Sequence, residues 1–571
     1  MDQFFAALNA INGIMLGMPT LLGLLGVGIV FTIWTRFGQW RSLTHGVQLV
    51  RGKVPGVSGR GKGALTHFQA LSAALSATVG LGNIGGVAIA VSIGGPGAVF
   101  WMWVVGIVGM ALKTTEVTLA MLFRNTHEVD NPHGGTMWVC KKGFAELSPK
   151  LAPLGLAAGM LFTLPLILFA ITGGNMFQAW NAAEIARAYF GVPTWISGAA
   201  MALIVGAVIL GGIRRIGHFA GVLVPAMCGI YVLVSLYVIV SNAELIPSLF
   251  ALIFRSAFAP TEATGAFIGA GLGTAFIFGM KRALFSSESG LGSAPIAHSA
   301  VRTPEPVTEG VVAGLEPFID TIVVCTMTAL VILITGVWNR GPVLPWDAPP
   351  ALSEVAPGQW APTPHRLAPE TAPDLLDGDQ VFIIVEGADG GRSKLFGNVV
   401  ATARPGATDN PPARTIEWRP HDGAQPPKVI EAGVFADYPG STLTARAFDS
   451  VHPGLGQWMV SLAVWLFAIS TMITWSYYGE QGVIYLAGTR WVKPYRLIWC
   501  LLIFVTCLGF IRTDVELDTV STVGLGFMLA INLPTMLILG YKAMHAYHNY
   551  FEREKLGRLG QPRHEPQHPG A

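Results

Sequence analysis

Eleven runs of about twenty predominantly apolar residues punctuate this chain, and no other feature restricts its fold as tightly. Wound as an α-helix, a run of that length matches the hydrocarbon thickness of a bilayer. Lipid offers no partner to a backbone N–H or C=O, so each run has to satisfy its own hydrogen bonds as a helix. The runs lie near 13–34, 66–93, 98–122, 153–184, 194–212, 218–241, 262–285, 316–338, 456–478, 496–512 and 519–541. The stretch 244–258 is shorter and carries Arg255, so it reads as an interfacial helix. Only 12% of the 571 residues are charged, about half the share of a soluble domain. The expectation is an all-α polytopic membrane protein, in contact with lipid and with no nucleic-acid partner. The opening segment lacks a basic region and a small-residue cleavage site, so it reads as a retained helix.

Two of the runs are broken by glycines. The first reads Leu75-Ser-Ala-Thr-Val-Gly-Leu-Gly-Asn-Ile-Gly-Gly-Val87, and the second spans Gly265–Gly279. Glycine costs a helix interior about 1 kcal/mol relative to alanine, so a cluster of them marks a place where the helix opens. Inside a membrane such an opening is tolerated only where it faces protein, a ligand or a cavity. The half-helix ends then offer N–H groups to an anion and C=O groups to a cation. In the first break Gly80, Gly82 and Gly86 surround Asn83, with Thr78 beside them. That mixture suits a zwitterion such as an amino acid better than a sugar. Close helix packing through small residues is the alternative, and Gly85-Gly86 alone would favour it.

Lysines and arginines in the short loops fix the expected orientation. The first loop holds Arg36, Arg41, Arg51, Lys53, Arg60 and Lys62, and alternate loops after it are basic while the others are nearly bare. This places the N-terminus outside and the C-terminus in the cytoplasm. Setting the first run aside leaves ten, five and five, with a broken helix opening each half. An odd number per half turns the two halves over relative to each other, which is an inverted repeat. The expected organisation is a membrane part over 1–338, an insertion over 339–455, a second membrane part over 456–545 and a disordered cytoplasmic tail over 546–571. The insertion is rich in proline at its start and then alternates in short runs such as Gln380–Val385 and Gly397–Thr402, so it reads as a small extracytoplasmic β domain. It carries nine Lys or Arg against fourteen Asp or Glu, and three widely spaced histidines that form no metal pattern. The five cysteines have no metal-ligand spacing either.

Four stretches carry a family resemblance. Ala70–Trp103, Arg282–Pro295, Asp320–Thr326 and Trp475–Glu480 resemble, in the same order, segments of the alanine or glycine:cation symporter family. The resemblance implies a LeuT-type five-plus-five inverted repeat with one extra N-terminal helix, eleven transmembrane helices in all. It also implies symport of a small neutral amino acid, alanine or glycine, with sodium as coupling ion and no other cofactor, in the bacterial cytoplasmic membrane. Sodium in such folds takes carbonyls of the first broken helix and hydroxyls of the eighth core helix, which here means Ser76, Val79, Ser470, Thr471 and Thr474. Hard cations favour such oxygen ligands, although Ser and Thr hydroxyls also bond back to their own helix. The substrate pocket would add Thr274, Phe276 and Phe278 from the second broken helix, and Phe177 and Gln178 from the third core helix, to the residues of the first break. The chain departs from the family pattern at His133–Trp138, at Ser286–Gly290 and in the size of its insertion.

Membrane carboxylates are costly and invite a functional reading. Glu116 follows Lys113 and would pair with it, while Asp320 would cap its helix or meet Arg282. Glu288 and Glu480 sit where gating salt bridges would form, and His298 shows no nearby acid pattern, so it reads as structural. An enzyme would need a nucleophile, metal cluster or acid–base pair at one depth, and no such constellation is visible. A sensor gated through the insertion and a proton-coupled carrier are the competing readings.

Overall fold

The computed structural model describes residues 2–55, 57, 63–128, 131–259, 272–363, 365–367, 375, 379–387, 392–401, 414–438, 440–511 and 514–559. The helices that matter below are α1 Asp2–Met15, α2 Met18–Trp34, α3 His67–Thr78, α4 Val87–Gly94 and α5 Gly97–Phe123. They continue with α6 Ala152–Ile171, α7 Phe177–Phe190, α8 Thr194–Ile209, α9 Gly212–Val240, α10 Ile246–Phe258 and α11 Leu272–Ser287. The remainder are α12 Pro306–Ala313, α13 Thr326–Thr335, α14 Gly440–Val451, α15 Ser461–Ala487, α16 Val492–Thr506 and α17 Asp514–Lys555. Among the described residues seven helical stretches are long and apolar enough to cross a membrane. The bent pair formed by α3 and Gly82–Gly94 makes an eighth if taken as one span. Three expected runs hold shorter helices, α8, α11 and α16. The glycines before Leu272 in the second broken run lie outside the described residues.

The first break is fully described, and its cause is local. α3 starts at a capping box in which the Thr66 hydroxyl accepts from Gln69 N and the Gln69 side chain accepts from Thr66 N. It stops at Val79, whose ψ of 85° leaves the helical region. The chain then resumes as a π-helix over Gly82–Gly86 before α4, with a bend of 53° between the two halves. Asn83 holds the break together. Its Oδ1 accepts from Gly80 N at 2.9 Å, and its Nδ2 donates to the Asp320 carbonyl at 3.1 Å. Further π segments occur at Thr172–Met176 and Phe318–Cys325, both beside the break or the cavity it lines. Such bulges are rare and concentrate at functional sites.

α14 leads out of the insertion and packs against that π segment at backbone distance. A Cβ built on Gly440 would lie 2.2 Å from the Gly85 carbonyl oxygen. Backbone cannot give way as a side chain can, so only glycine permits this approach. Gly440→Val is expected to cost about 1–3 kcal/mol, measured as a lower melting temperature of the purified protein. An unchanged melt would mean that α14 is free to slide.

The membrane core encloses a chain of ionisable side chains in contact with one another. Lys113 Nζ lies 3.0 Å from Glu316 Oε2, and Glu316 Oε1 lies 2.5 Å from His298 Nε2. His298 Nδ1 lies 2.5 Å from Glu309 Oε1, and Glu309 Oε2 lies 2.5 Å from His67 Nδ1. Several sequence expectations change here. Lys113 reaches across to Glu316 rather than along its own helix to Glu116, whose Oε2 accepts instead from Gly292 N and Asn532 Nδ2. Arg282 pairs with Asp518, not with Asp320, which accepts from the Thr321 hydroxyl. His298 has two acids on its ring nitrogens. Glu480 meets Arg496 in a two-bond contact of 2.7 and 3.0 Å.

The insertion contributes strands β1 Leu344–Pro345, β2 Leu352–Ala356, β3 Gln359–Pro362, β4 His365–Leu367 and β5 Gln380–Glu386. It continues with β6 Arg392–Ala401, β7 Arg414–Trp418, β8 His421–Asp422, β9 Lys428–Val429 and β10 Gly433–Ala436. Their main sheet runs β1-β10-β5-β6-β7-β4 with β9 also on β5, all antiparallel, and β2-β3-β8 form a smaller one. Val381, Ile383 and Val385 of β5 share one apolar cluster with Leu395 and Val399 of β6. Phe382 and Ile384 share another with Phe435 and the partly buried Phe396. The alternation follows from the period of two along a strand, and it gives this sheet two differently lined faces.

Candidate functional site

At the first break the helices enclose a small cavity. Thr78, Gly80 and Gly82 come from the break, Gln178 from α7, Phe285 from α11, and Thr471 and Trp475 from α15. Ala77, Phe169, Gly173 and Glu288 complete the wall. Its free volume is only about 10 Å³, room for no more than one water. Phe285 closes one side, with its ring centroid 5.6 Å from Phe169 and 6.0 Å from Phe177.

The polar atoms around this cavity are sparse and specific. Thr471 Oγ1 donates to the Ser76 carbonyl at 3.1 Å, so α15 is tied to the last turn of α3 just before the break. Ser76 Oγ returns the contact by donating to the Ser470 carbonyl at 2.7 Å. Ser470 Oγ bonds back to Phe467 O within its own helix, the ordinary behaviour of a helical serine. Thr474 Oγ1 is buried with no hydrogen-bond partner, and so is Gln178 Oε1, whose Nε2 donates to Gly173 O. A buried polar atom without a partner is uncommon and calls for a reason. Glu288 has φ of 53°, a conformation that costs a non-glycine residue about 1–3 kcal/mol and clusters at functional positions. Its carboxylate accepts from the Ser293 hydroxyl at 2.6 Å.

The positions singled out from sequence divide in a clear way. Thr78, Gly80, Gly82, Gln178 and Thr471 meet at the cavity. Ser76 lies on α3, Val79 just past its end, and Ser470 and Thr474 on α15. Asn83 is spent on capping the break, and the space beyond Gly86 leads to Arg282. Phe177 and Phe278 line a second, larger cavity. Phe276 packs edge-on against Trp101 of α5 at 4.8 Å, and Thr274 is absent from either wall. On α11 the residues that line the two cavities are Phe278, Arg282 and Phe285, spaced at one helical face. Phe285, Glu288 and Trp475 were missed as lining residues although each lies within a stretch that carried the family resemblance.

The model of the sodium:alanine symporter family matches residues 1–348 and 429–564. The chain belongs to that family. Among curated relatives, the sodium/alanine symporter AgcS of Methanococcus maripaludis is 33% identical over 502 residues, 88% of either chain. The putative sodium/proton-dependent alanine carrier protein YrbD of Bacillus subtilis is 31% identical over 559 residues, 98% of this chain and 94% of the relative. The probable sodium/glutamine symporter GlnT of Bacillus subtilis is 34% identical over 319 residues, 55% of this chain and 63% of that protein. Family membership makes the chain an integral membrane transporter for cation-coupled amino-acid symport. Residues 349–428, which hold β2–β8, fall between the two matched stretches.

Proposed function

We propose that this transporter moves a small neutral amino acid, alanine or glycine, together with sodium, by alternating access in a bacterial cytoplasmic membrane. The reading assigns it a LeuT-type five-plus-five arrangement behind an extra first helix, with the N-terminus outside. The observation that carries it is the link from Thr471 Oγ1 to the Ser76 carbonyl, set against the wall of a cavity at a broken helix. Sodium would take the place of that hydrogen bond, drawing oxygens from Ser76, Val79, Thr471 and Thr474. Thr474 supports this because its buried hydroxyl has no protein partner to give up. Substrate and ion then share α3, so each favours the conformation that the other needs. The cavity has to widen before an amino acid fits, and displacement of Phe285 is the shortest way to widen it. One relative is named as a probable glutamine symporter, so side-chain size, set by Phe285, Phe169 and Trp475, is the feature that separates substrates.

Thr474→Val tests the ion site without removing any hydrogen bond within the protein. The sodium concentration for half-maximal alanine binding is expected to rise about tenfold, equivalent to about 1.4 kcal/mol, while the melting temperature holds. An unchanged sodium curve would exclude Thr474 as a ligand. Proton coupling is the second reading, and Glu288 is the observation that favours it, since a carboxylate in the cavity wall offers a proton site.

A further inference from the structure

A cavity of about 610 Å³ lies between the insertion and the membrane helices, within the range of sites that hold small molecules. Its floor is α4, α7, α11 and α17, and its roof is β6 with the segment that leads from β10 into α14. Phe177 in its floor lies 6.0 Å, ring to ring, from Phe285, which walls the small cavity at the break. A solute here is therefore one aromatic pair away from the proposed transport site.

Four cationic side chains, Arg282, Arg340, Arg392 and Lys394, and two acidic ones, Asp437 and Asp518, line it. Two pairs neutralise each other, Arg282 with Asp518 at 3.1 Å and Lys394 with Asp437 at 2.9 Å. Arg340 and Arg392 are left without an ion pair among the described residues. Arg340 is held in place, since its terminal nitrogens donate to the Val337 and Ala436 carbonyls and its guanidinium sits 4.7 Å from the Tyr438 ring. Its Nε is buried and has no partner. Arg392, by contrast, is exposed at the start of β6 and belongs to the stretch that the family model does not match. This excess of positive charge stands out because the insertion as a whole carries nine basic and fourteen acidic residues.

We propose that this chamber is a second binding site, for an α-amino carboxylate, with Arg340 and Arg392 taking the carboxylate and Asp437 or Asp518 facing the ammonium. Guanidinium groups are the side chains best matched to a carboxylate. The site rests on the transport reading above, for it would hold amino acid next to the path inward. The insertion thereby acquires a task, as the wall that completes this chamber.

The test uses full-length protein in lipid nanodiscs, where both faces are open to reagent. Ser92 is half-buried in the chamber wall, and Ser92→Cys introduces a thiol there; labelling of the parent protein is subtracted as background. Alanine and propionate are expected to slow modification by a methanethiosulfonate reagent about threefold at twice their Kd, and propionamide is expected to have no effect. Adding Arg392→Gln, an exposed change, or Arg340→Gln should abolish the protection. Absence of protection by both carboxylates, or equal protection by propionamide, would overturn the site. Protection by propionate in a protein that shows no sodium-driven uptake would keep the chamber and remove the transport reading. Uptake without protection would do the reverse.

Discussion

Replacing Lys113 with methionine is expected to destabilise the protein by about 3–5 kcal/mol, the usual consequence of stripping one partner from a buried ion pair. Lys113 has no exposed surface, and neither has Glu316, 3.0 Å away. Beyond Glu316 the contacts run through His298 and Glu309 to His67, so α5, α12, the turn at His298 and the start of α3 share one electrostatic unit. Lys113 ends that unit with no exposed surface, and Glu316 without it would keep only the imidazole of His298 as a partner. Lys113→Met combined with Glu316→Gln should recover part of the loss, because no uncompensated charge then stays buried. The comparison is made by thermal or denaturant unfolding of the purified protein. Equal stabilities of the wild type and the single variant would show that the chain of contacts contributes nothing to the fold.

Gly80→Ala is expected to leave a folded protein whose sodium-driven uptake is reduced roughly ten- to hundredfold, the effect of turning Thr471 away from the ion site proposed above, where a contact to a charged group contributes about 1.5–3 kcal/mol. Gly80 does not adopt a positive φ, so alanine fits the backbone. Its new methyl would lie 2.7 Å from Thr471 Oγ1 and only 3.6 Å from Gln178 Oε1. Thr471 has to turn away, and its contact with the Ser76 carbonyl goes with it. Overpacking of this kind costs about 1–3 kcal/mol of stability, which a melting curve separates from the transport defect. Wild-type sodium dependence in folded Gly80→Ala would detach the Thr471 contact from coupling.

Much of this arrangement was legible in the residues because it is local. Clustered glycines around Asn83 announced the break, and the threonines of α15 announced hydroxyls at helical spacing. What escaped was the partner across space. Lys113 and Glu316 are 203 residues apart, so spacing along one helix pointed to Glu116 instead. Glu309 and Glu316 stand 11 and 18 residues after His298, and only the turn between helices brings both onto its ring. On α11 the choice of Thr274, Phe276 and Phe278 lacked the rotation of the helix, which turns Phe285 toward the cavity and Phe276 toward Trp101. The alternating pattern of the insertion marks strands, but it does not tell which strand face roofs a cavity over the helices.

The most direct measurement is uptake of radiolabelled alanine into proteoliposomes under an inward sodium gradient, with potassium as the matched control. Accumulation driven by sodium alone, and abolished by collapsing the gradient, is the expected result. Equal uptake in the two salts would contradict sodium coupling and direct the test to protons, beginning with Glu288→Gln.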